Sequence, residues 1–250
     1  DKSLWEARDY LKQHAIHFQP GVNEELAATA VWGSQQTNLF PGARYDGVFA
    51  MWYGKGPGVD RAGDVFKHAN AAGVSPKGGV LLLAGDDHGC KSSTLPHQSE
   101  HAFIAASIPV LNPANVQEIL DYGIIGWELS RYSGCWVALK TIAENVDSSA
   151  VVEVDPLRMQ TRIPDDFELP EDGVHIRWPD PPLAQEKRLN LYKIYAARAF
   201  ARANNLNRVM LDSPNPRMGI ITTGKSYLDV RQALDDLGLD EALCASVGLR

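Results

Sequence analysis

The stretch Gly78-Gly79-Val80-Leu81-Leu82-Leu83-Ala84, followed at once by Gly85-Asp86-Asp87-His88-Gly89-Cys90-Lys91-Ser92-Ser93, decides the fold. From Gly79 to Ala84 the side chains are apolar without a break. A strand with one wet face alternates apolar and polar residues, whereas an unbroken apolar run bounded by glycine and charge fits a strand covered on both faces, as in parallel sheets. Val48-Phe49-Ala50-Met51-Trp52 reads the same way. Short strands are also expected at Ile108–Leu111 and Cys135–Leu139. Helical patterns separate them: Ser3–Gln13, a helix opened by Asn23, Asp60–Ala72 stopped by Gly73, His97–Ala106, and Asn115–Arg131. Asn23 is a good N-cap, Glu24 and Glu25 suit the positive end of the helix dipole, and Leu26, Ala27, Ala30 and Val31 are expected to form the apolar face. Strands alternating with helices predict an α/β fold, a parallel sheet with helices on both faces, over residues 1–150.

After that the composition shifts. Prolines stand at 156, 164, 170, 179, 181 and 182 among interleaved charges, which reads as a connector laid over a surface. A long helix follows over Leu183–Asn204, with Leu189, Tyr192, Ala196, Ala199 and Phe200 on one face, so residues 151–205 read as connector plus helix. Asn205–Asp212 is expected as a short strand or turn, Met218–Thr223 as a strand and Tyr227–Leu237 as a helix. Residues 206–250 thus read as the start of a second, truncated α/β domain, because one strand and one helix cannot bury a core.

The formal net charge of −7 gives no electrostatic reason to expect a nucleic acid or an anionic membrane as partner. No apolar run approaches the roughly 20 residues a membrane-spanning helix needs. The three cysteines, Cys90, Cys135 and Cys244, are far apart and form no CxxC; reduced thiols in a cytoplasmic protein are expected, and no metal site within this segment. The start at Asp1-Lys2-Ser3, without Met and without a signal-peptide pattern, reads as a boundary inside a longer polypeptide.

Ligands of open parallel sheets sit outside the carboxyl ends of the strands, and three segments belong there. In Gly21-Val22-Asn23-Glu24-Glu25, helical spacing puts Glu24 on the side of Ala27, Ala28 and Val31, an apolar small-residue surface where a carboxylate is costly unless something engages it. Plain capping is the alternative use of this segment. In Trp52-Tyr53-Gly54-Lys55-Gly56-Pro57-Gly58, three glycines in five residues let backbone approach a ligand, with Lys55 as a candidate contact; a simple turn explains the composition equally well. The loop 85–93 gathers Asp86, Asp87, His88, Lys91, Ser92 and Ser93, more polar chemistry than a connection needs. His88 is a candidate proton-transfer group, although a lone histidine more often serves as a hydrogen-bonder.

Three stretches carry a family resemblance. Gly21-Val22-Asn23-Glu24-Glu25-Leu26-Ala27 resembles the segment bearing the cofactor-activating glutamate of 2-oxoacid:ferredoxin oxidoreductases. Gly78-Gly79-Val80 through Asp86-Asp87-His88-Gly89 to Ser92-Ser93 is similar to the matching strand and loop of the indolepyruvate:ferredoxin oxidoreductase branch, and Met218-Gly219-Ile220-Ile221-Thr222-Thr223-Gly224-Lys225-Ser226-Tyr227 to the opening of that branch's next domain. The resemblance implies a thiamine diphosphate-binding fold holding the pyrimidine half of the cofactor. It implies a parent that oxidatively decarboxylates an aryl 2-oxoacid such as indolepyruvate, with coenzyme A accepting the acyl group, ferredoxin accepting electrons, and the remaining domains of the parent supplying Mg2+ and [4Fe-4S] clusters. It also implies a dimeric or multidomain parent, the fragment alone being inactive. By resemblance Glu24 is the catalytic group that hydrogen-bonds a ring nitrogen of the aminopyrimidine, so that the imino tautomer removes the thiazolium proton. Asp86, Asp87, His88, Ser92, Ser93 and Lys55 would line the cofactor or substrate side.

Two departures limit that assignment. The family's earlier strand with its glycine- and serine-bearing loop has no counterpart here, and Gly85-Asp86-Asp87 with Asn112 is a poor imitation of a diphosphate–magnesium motif, which is usually GDG with a later Asn. A second nucleotide motif must be weighed. Gly219–Ser226 satisfies GxxxxGK[ST] to the letter, yet Ile220-Ile221-Thr222-Thr223 is a β-branched run that favours extended backbone, and Pro214-Asn215-Pro216-Arg217 before it is no strand, so the phosphate-loop reading is set aside. A non-catalytic interaction domain is the remaining alternative.

Overall fold

The computed structural model describes residues 2–155 and 157–250. Asp1, read above as a boundary, and Pro156, first of the connector prolines, lie outside the described residues.

The chain opens with two short helices, α1 (Lys2–Glu6) and α2 (Arg8–Gln13), neither with a buried residue, in place of the single helix expected. Helix α3 (Glu24–Ser34) starts as predicted: the Asn23 side chain accepts from the Leu26 N–H at 2.9 Å. Its buried line differs from the expected face. Ala28 is buried, with Ala27, Val31 and Trp32 packed partly against the core, while Leu26 and Ala30 face outward.

Strand β1 (Phe49–Lys55) runs without a loop into α4 (Gly56–Arg61), which is followed by α5 (Gly63–Ala72). The glycine-rich segment expected as a loop is therefore a direct strand-to-helix turn. Gly73, with φ 102°, ends α5 as expected. Next come β2 (Gly79–Asp86), α6 (Glu100–Ala105), β3 (Val110–Leu111), α7 (Val116–Ser133) and β4 (Val137–Ile142). All strands are parallel, in the order β1-β2-β4-β3.

Strand β2 sits inside the sheet, and its unbroken apolar run splits between two cores. Val80, Leu82 and Ala84 join Trp52, Phe66, Phe103 and Trp136 under α3, α5 and α6, whereas Leu81 packs with Leu129, Val137 and Leu139 beneath α7. The expectation that β1 is covered on both faces does not hold. It is an edge strand, and Phe49, Met51 and Tyr53 on one face remain substantially exposed. Helix α7 lies over β2 and β4; its Trp127 reaches β1, donating to the Ala50 carbonyl at 3.1 Å.

After the short helix α8 (Ala143–Val146) the proline-bearing connector leads to one continuous helical rod: α9 (Pro182–Arg188), a π-helical segment Leu189–Lys193, and α10 (Ile194–Ala203). Phe200 and Ala197 of α10 close the α7 core. Lys193, fully buried in the π-helical turn, donates to the carbonyls of Asn70 and Ala71 at the end of α5, and burial lowers its pKa to about 8. Residues 206–250 carry α11 (Lys225–Asp236) and α12 (Glu241–Val247) around a small cluster of Leu234, Cys244 and Leu249. Met218–Thr223, expected as a strand, forms no strand of the sheet. One parallel bridge links Met218 to Leu249, and Ile220 N–H donates to the Arg250 carbonyl at 2.8 Å.

The buried Asn70 side chain ties these parts together. Its amide donates to the carbonyls of Ala106 and Ser107, both at 2.9 Å, and accepts from Trp136 N–H at 2.9 Å. Asn70→Leu strands these three backbone groups, each costing about 1–3 kcal/mol; denaturant unfolding should read a loss of more than about 3 kcal/mol. Lys193 gives a second expectation. Its folded pKa lies below the unfolded value of about 10.4, so the unfolded chain binds more protons between those values. Stability of the wild type relative to Lys193→Met should therefore rise as pH increases from about 8 to about 10 in parallel chemical melts.

Candidate functional site

The carboxyl ends of β1 and β2 form the edge on which the chemistry-bearing residues gather. Two close approaches at the β1–α4 turn shape it. A Cβ on Gly58 would stand 2.5 Å from Glu24 Cγ, so only glycine lets the Glu24 side chain lie across the start of α4. A Cβ on Gly56 would stand 1.9 Å from His97 Nδ1, so His97 packs directly on that turn. The helix bearing Glu24 is held in register by Trp52, whose indole N–H donates to the Glu24 carbonyl at 2.9 Å.

The two acids at the head of α3 differ as the spacing predicted: Glu25 is exposed, whereas Glu24 is half-buried beside the buried Ala28. Among the described residues the Glu24 carboxylate makes no hydrogen bond or ion pair, and no lysine or arginine neutralises it. A half-buried carboxylate left without a partner is what a site for a hydrogen-bonding ligand requires.

Loop 85–99 spends most of its acids on itself. Asp86 is buried; its carboxylate accepts from Ser99 Oγ at 2.6 Å and Ser99 N–H at 2.9 Å, and pairs with Lys140 Nζ at 3.4 Å. Lys140 also holds Glu100. Asp87 accepts from the backbone N–H groups of Lys91 and Ser92, each at 2.8 Å. Those N–H bonds, from Ser92 first and Lys91 second, hold its carboxyl below the usual carboxylate range, with Ser93 and Lys55 contributing less. Lys55 Nζ donates to the Ser92 carbonyl at 2.7 Å and to Ser92 Oγ at 3.0 Å, fastening the loop to the end of β1. Asp86 and Asp87 thus act as internal struts of the loop, while His88 stands exposed at its tip and Ser93 is half-buried.

Sequence reasoning missed His97. Its Nε2 donates to the Asp60 carboxylate at 3.0 Å, and its buried Nδ1 has no partner. Nothing in the spacing connects residue 97 with Gly56; the contact exists only because β1 and β2 are neighbours. Asn112 does not join the acids of loop 85–93. It packs against Gly224 after β3, a strand separated from β2 by β4. Nor does Gly219–Ser226 form a phosphate cradle: its first five residues belong to no helix or strand, Gly224 precedes α11, and Lys225 is taken by Asp229. Among the described residues, no three metal-ligating side chains cluster, and no helix is long and apolar enough to cross a membrane.

Residues 207–250 match the family described as the indolepyruvate ferredoxin oxidoreductase middle domain. The chain is 30% identical over 230 residues to the indolepyruvate oxidoreductase subunit IorA of Methanothermobacter marburgensis, covering 92% of this chain and 35% of that protein. The chain is a relative of the IorA subunits. Identity to IorA of Archaeoglobus fulgidus is 30% over 202 residues (80% of this chain, 31% of that one), and to IorA of Pyrococcus abyssi 27% over 212 residues (82% and 32%). The chain spans about a third of the length of these relatives. These relatives are named as subunits of an indolepyruvate oxidoreductase.

Because the folded pKa of Asp87 is depressed, its contribution to loop order is present above the unfolded value of about 3.9 and is lost as pH falls through the folded value. Hydrogen exchange should show Lys91 and Ser92 amides still protected at about pH 4, and exposed in Asp87→Asn at the same pH.

Proposed function

We propose that this chain is the part of an aryl 2-oxoacid oxidoreductase that holds and activates the aminopyrimidine of thiamine diphosphate, with Glu24 as the activating group. The observation that carries the reading is the half-buried Glu24 carboxylate, unpartnered within the chain and lying over Gly58 at the carboxyl edge of a parallel sheet. When bound, the cofactor supplies the electron sink for decarboxylation. The chain's own contribution is to hold a proton at a Glu24 carboxylate oxygen, shared with a ring nitrogen, in a setting where water is partly excluded. Asn23 and Trp52 fix the helix start that aims this carboxylate.

Loop 85–99 forms the second wall. Asp86 and Asp87 hold it in shape, Lys55 fastens it through Ser92, and His88 and Ser93 are the groups left to meet a cofactor or substrate, with Ser92 reaching one only by giving up its bonds to Lys55 and Asp87. Indolepyruvate as substrate follows from what the relatives are named for. Coenzyme A, ferredoxin, iron–sulfur clusters, Mg2+ and a cytoplasmic location belong to the same reading of the longer parent, in which domains 1–150, 151–205 and 206–250 are one segment. The struts of Asp86 and the distant Asn112 do not make a diphosphate–magnesium site, so that half of the cofactor is assigned to other regions.

The deciding assay is indolepyruvate- and coenzyme A-dependent reduction of a viologen dye by the full-length protein. Glu24→Gln should lower the rate by about 100-fold or more with the fold retained by circular dichroism. Gly58→Ala, which pushes a methyl group into Glu24 Cγ, should also lower it. An active wild type with an unaffected Glu24→Gln variant removes Glu24 from the mechanism; an inactive wild type removes the enzyme reading.

A further inference from the structure

A second region, at the far side of the sheet from Glu24, carries chemistry that the proposed function leaves unused. Between β3, α7 and α10 on one wall and residues 206–250 on the other lies a cavity of about 820 Å3. Its floor and sides are apolar: Ile108, Leu111, Tyr122, Ala197, Ile220 and Leu234 line it. Its charged lining is mostly positive. Four arginines, Arg198, Arg208, Arg231 and Arg250, face one glutamate, Glu118, in a chain whose formal net charge is −7. Such an inversion of local against overall charge focuses a positive potential in the cleft.

Two of the arginines are already answered. Arg208 lies 4.0 Å from Glu118, and Arg250 lies 3.2 Å from Asp212. Arg198 and Arg231 have no carboxylate partner among the described residues, although Arg198 stacks over the Tyr195 ring at 5.6 Å. They stand on α10 and α11, on opposite walls of the cavity. The Thr222 hydroxyl, also in the lining, is buried without a hydrogen-bond partner. The size lies within the range of small-molecule sites, roughly 300–1,000 Å3. A bare inorganic anion would satisfy the arginines and leave the apolar surface wet.

We propose that this cavity binds an amphipathic organic anion, its apolar body against Leu111, Tyr122 and Ile220 and its carboxylate or phosphate bridging Arg198 and Arg231. The site shares no residue with the Glu24 edge and stands or falls separately from the function proposed there. Guanidinium groups recognise both anions through paired N–H donors, so the two sources share one chemistry.

The test is a fluorescence titration of the full-length protein with 8-anilinonaphthalene-1-sulfonate, an aromatic sulfonate, at low and high salt. Saturable binding should weaken with salt and weaken by about tenfold or more in Arg198→Glu/Arg231→Glu, with folding checked by circular dichroism. Arg231→Gln, a milder change on the half-buried α11 face, should weaken it in the same direction. Displacement of the dye by 1-naphthaleneacetate identifies a carboxylate ligand and displacement by ATP a phosphate ester, and either supports the proposal. The proposal is overturned by the absence of saturable binding, as when another part of the longer protein fills the cavity. Binding that both arginine variants leave unchanged but Met51→Lys abolishes also overturns it, since the dye would then sit on the exposed β1 face.

Discussion

One buried amide holds the molecule's parts in register. The Asn70 side chain answers carbonyls from the turn after α6 and the N–H that opens β4, while its own backbone carbonyl accepts from Lys193 on the distant helical rod. Most of those groups are buried, the Ser107 carbonyl only partly, and a buried one left unmet would be a costly donor or acceptor in a low-dielectric interior. A single residue at the end of α5 therefore joins both layers of helices to the middle of the sheet. The carboxyl edge can be a precise place because the sheet behind it cannot slide.

At that edge, shape comes before charge. Gly58 and Gly56 are needed because Glu24 and His97 occupy the space their side chains would fill. The loop after β2 looks like a cluster of reactive groups in one dimension, yet in three dimensions Asp86 and Asp87 are consumed in holding the loop against β4 and β1. What stays free is the half-buried carboxylate of Glu24. A carboxylate kept partly from water and left without a protein partner is open to a hydrogen-bonding ligand, and that is the basis of the functional proposal.

The opposite end has a different electrostatic character. Residues 206–250 fold around a small apolar cluster and lean on β3, α7 and α10, leaving a cleft of arginines in an acidic chain. The Met218–Thr223 segment borders it with most of its backbone outside any sheet, and the literal phosphate-loop motif that it opens lacks the free lysine such a loop needs, because Lys225 is paired with Asp229.

The residues themselves determined a good deal. Unbroken apolar runs fixed β2 as a doubly covered strand, Asn23 and Asn115 marked helix starts that their side chains indeed cap, and 3.6-residue spacing put Glu24 rather than Glu25 toward the interior. These are local properties, set by propensity, capping and periodicity within a few residues. Only the tertiary structure decided that β1 lies at an edge with Phe49, Met51 and Tyr53 exposed, that Asp86 belongs to Lys140 and Ser99, that His97 rests on Gly56, and that Arg198 and Arg231 share a cavity. Each depends on which elements become neighbours across tens of residues. Strand order and helix placement settle that by burying the whole chain's apolar surface at once, and no short window of sequence records it.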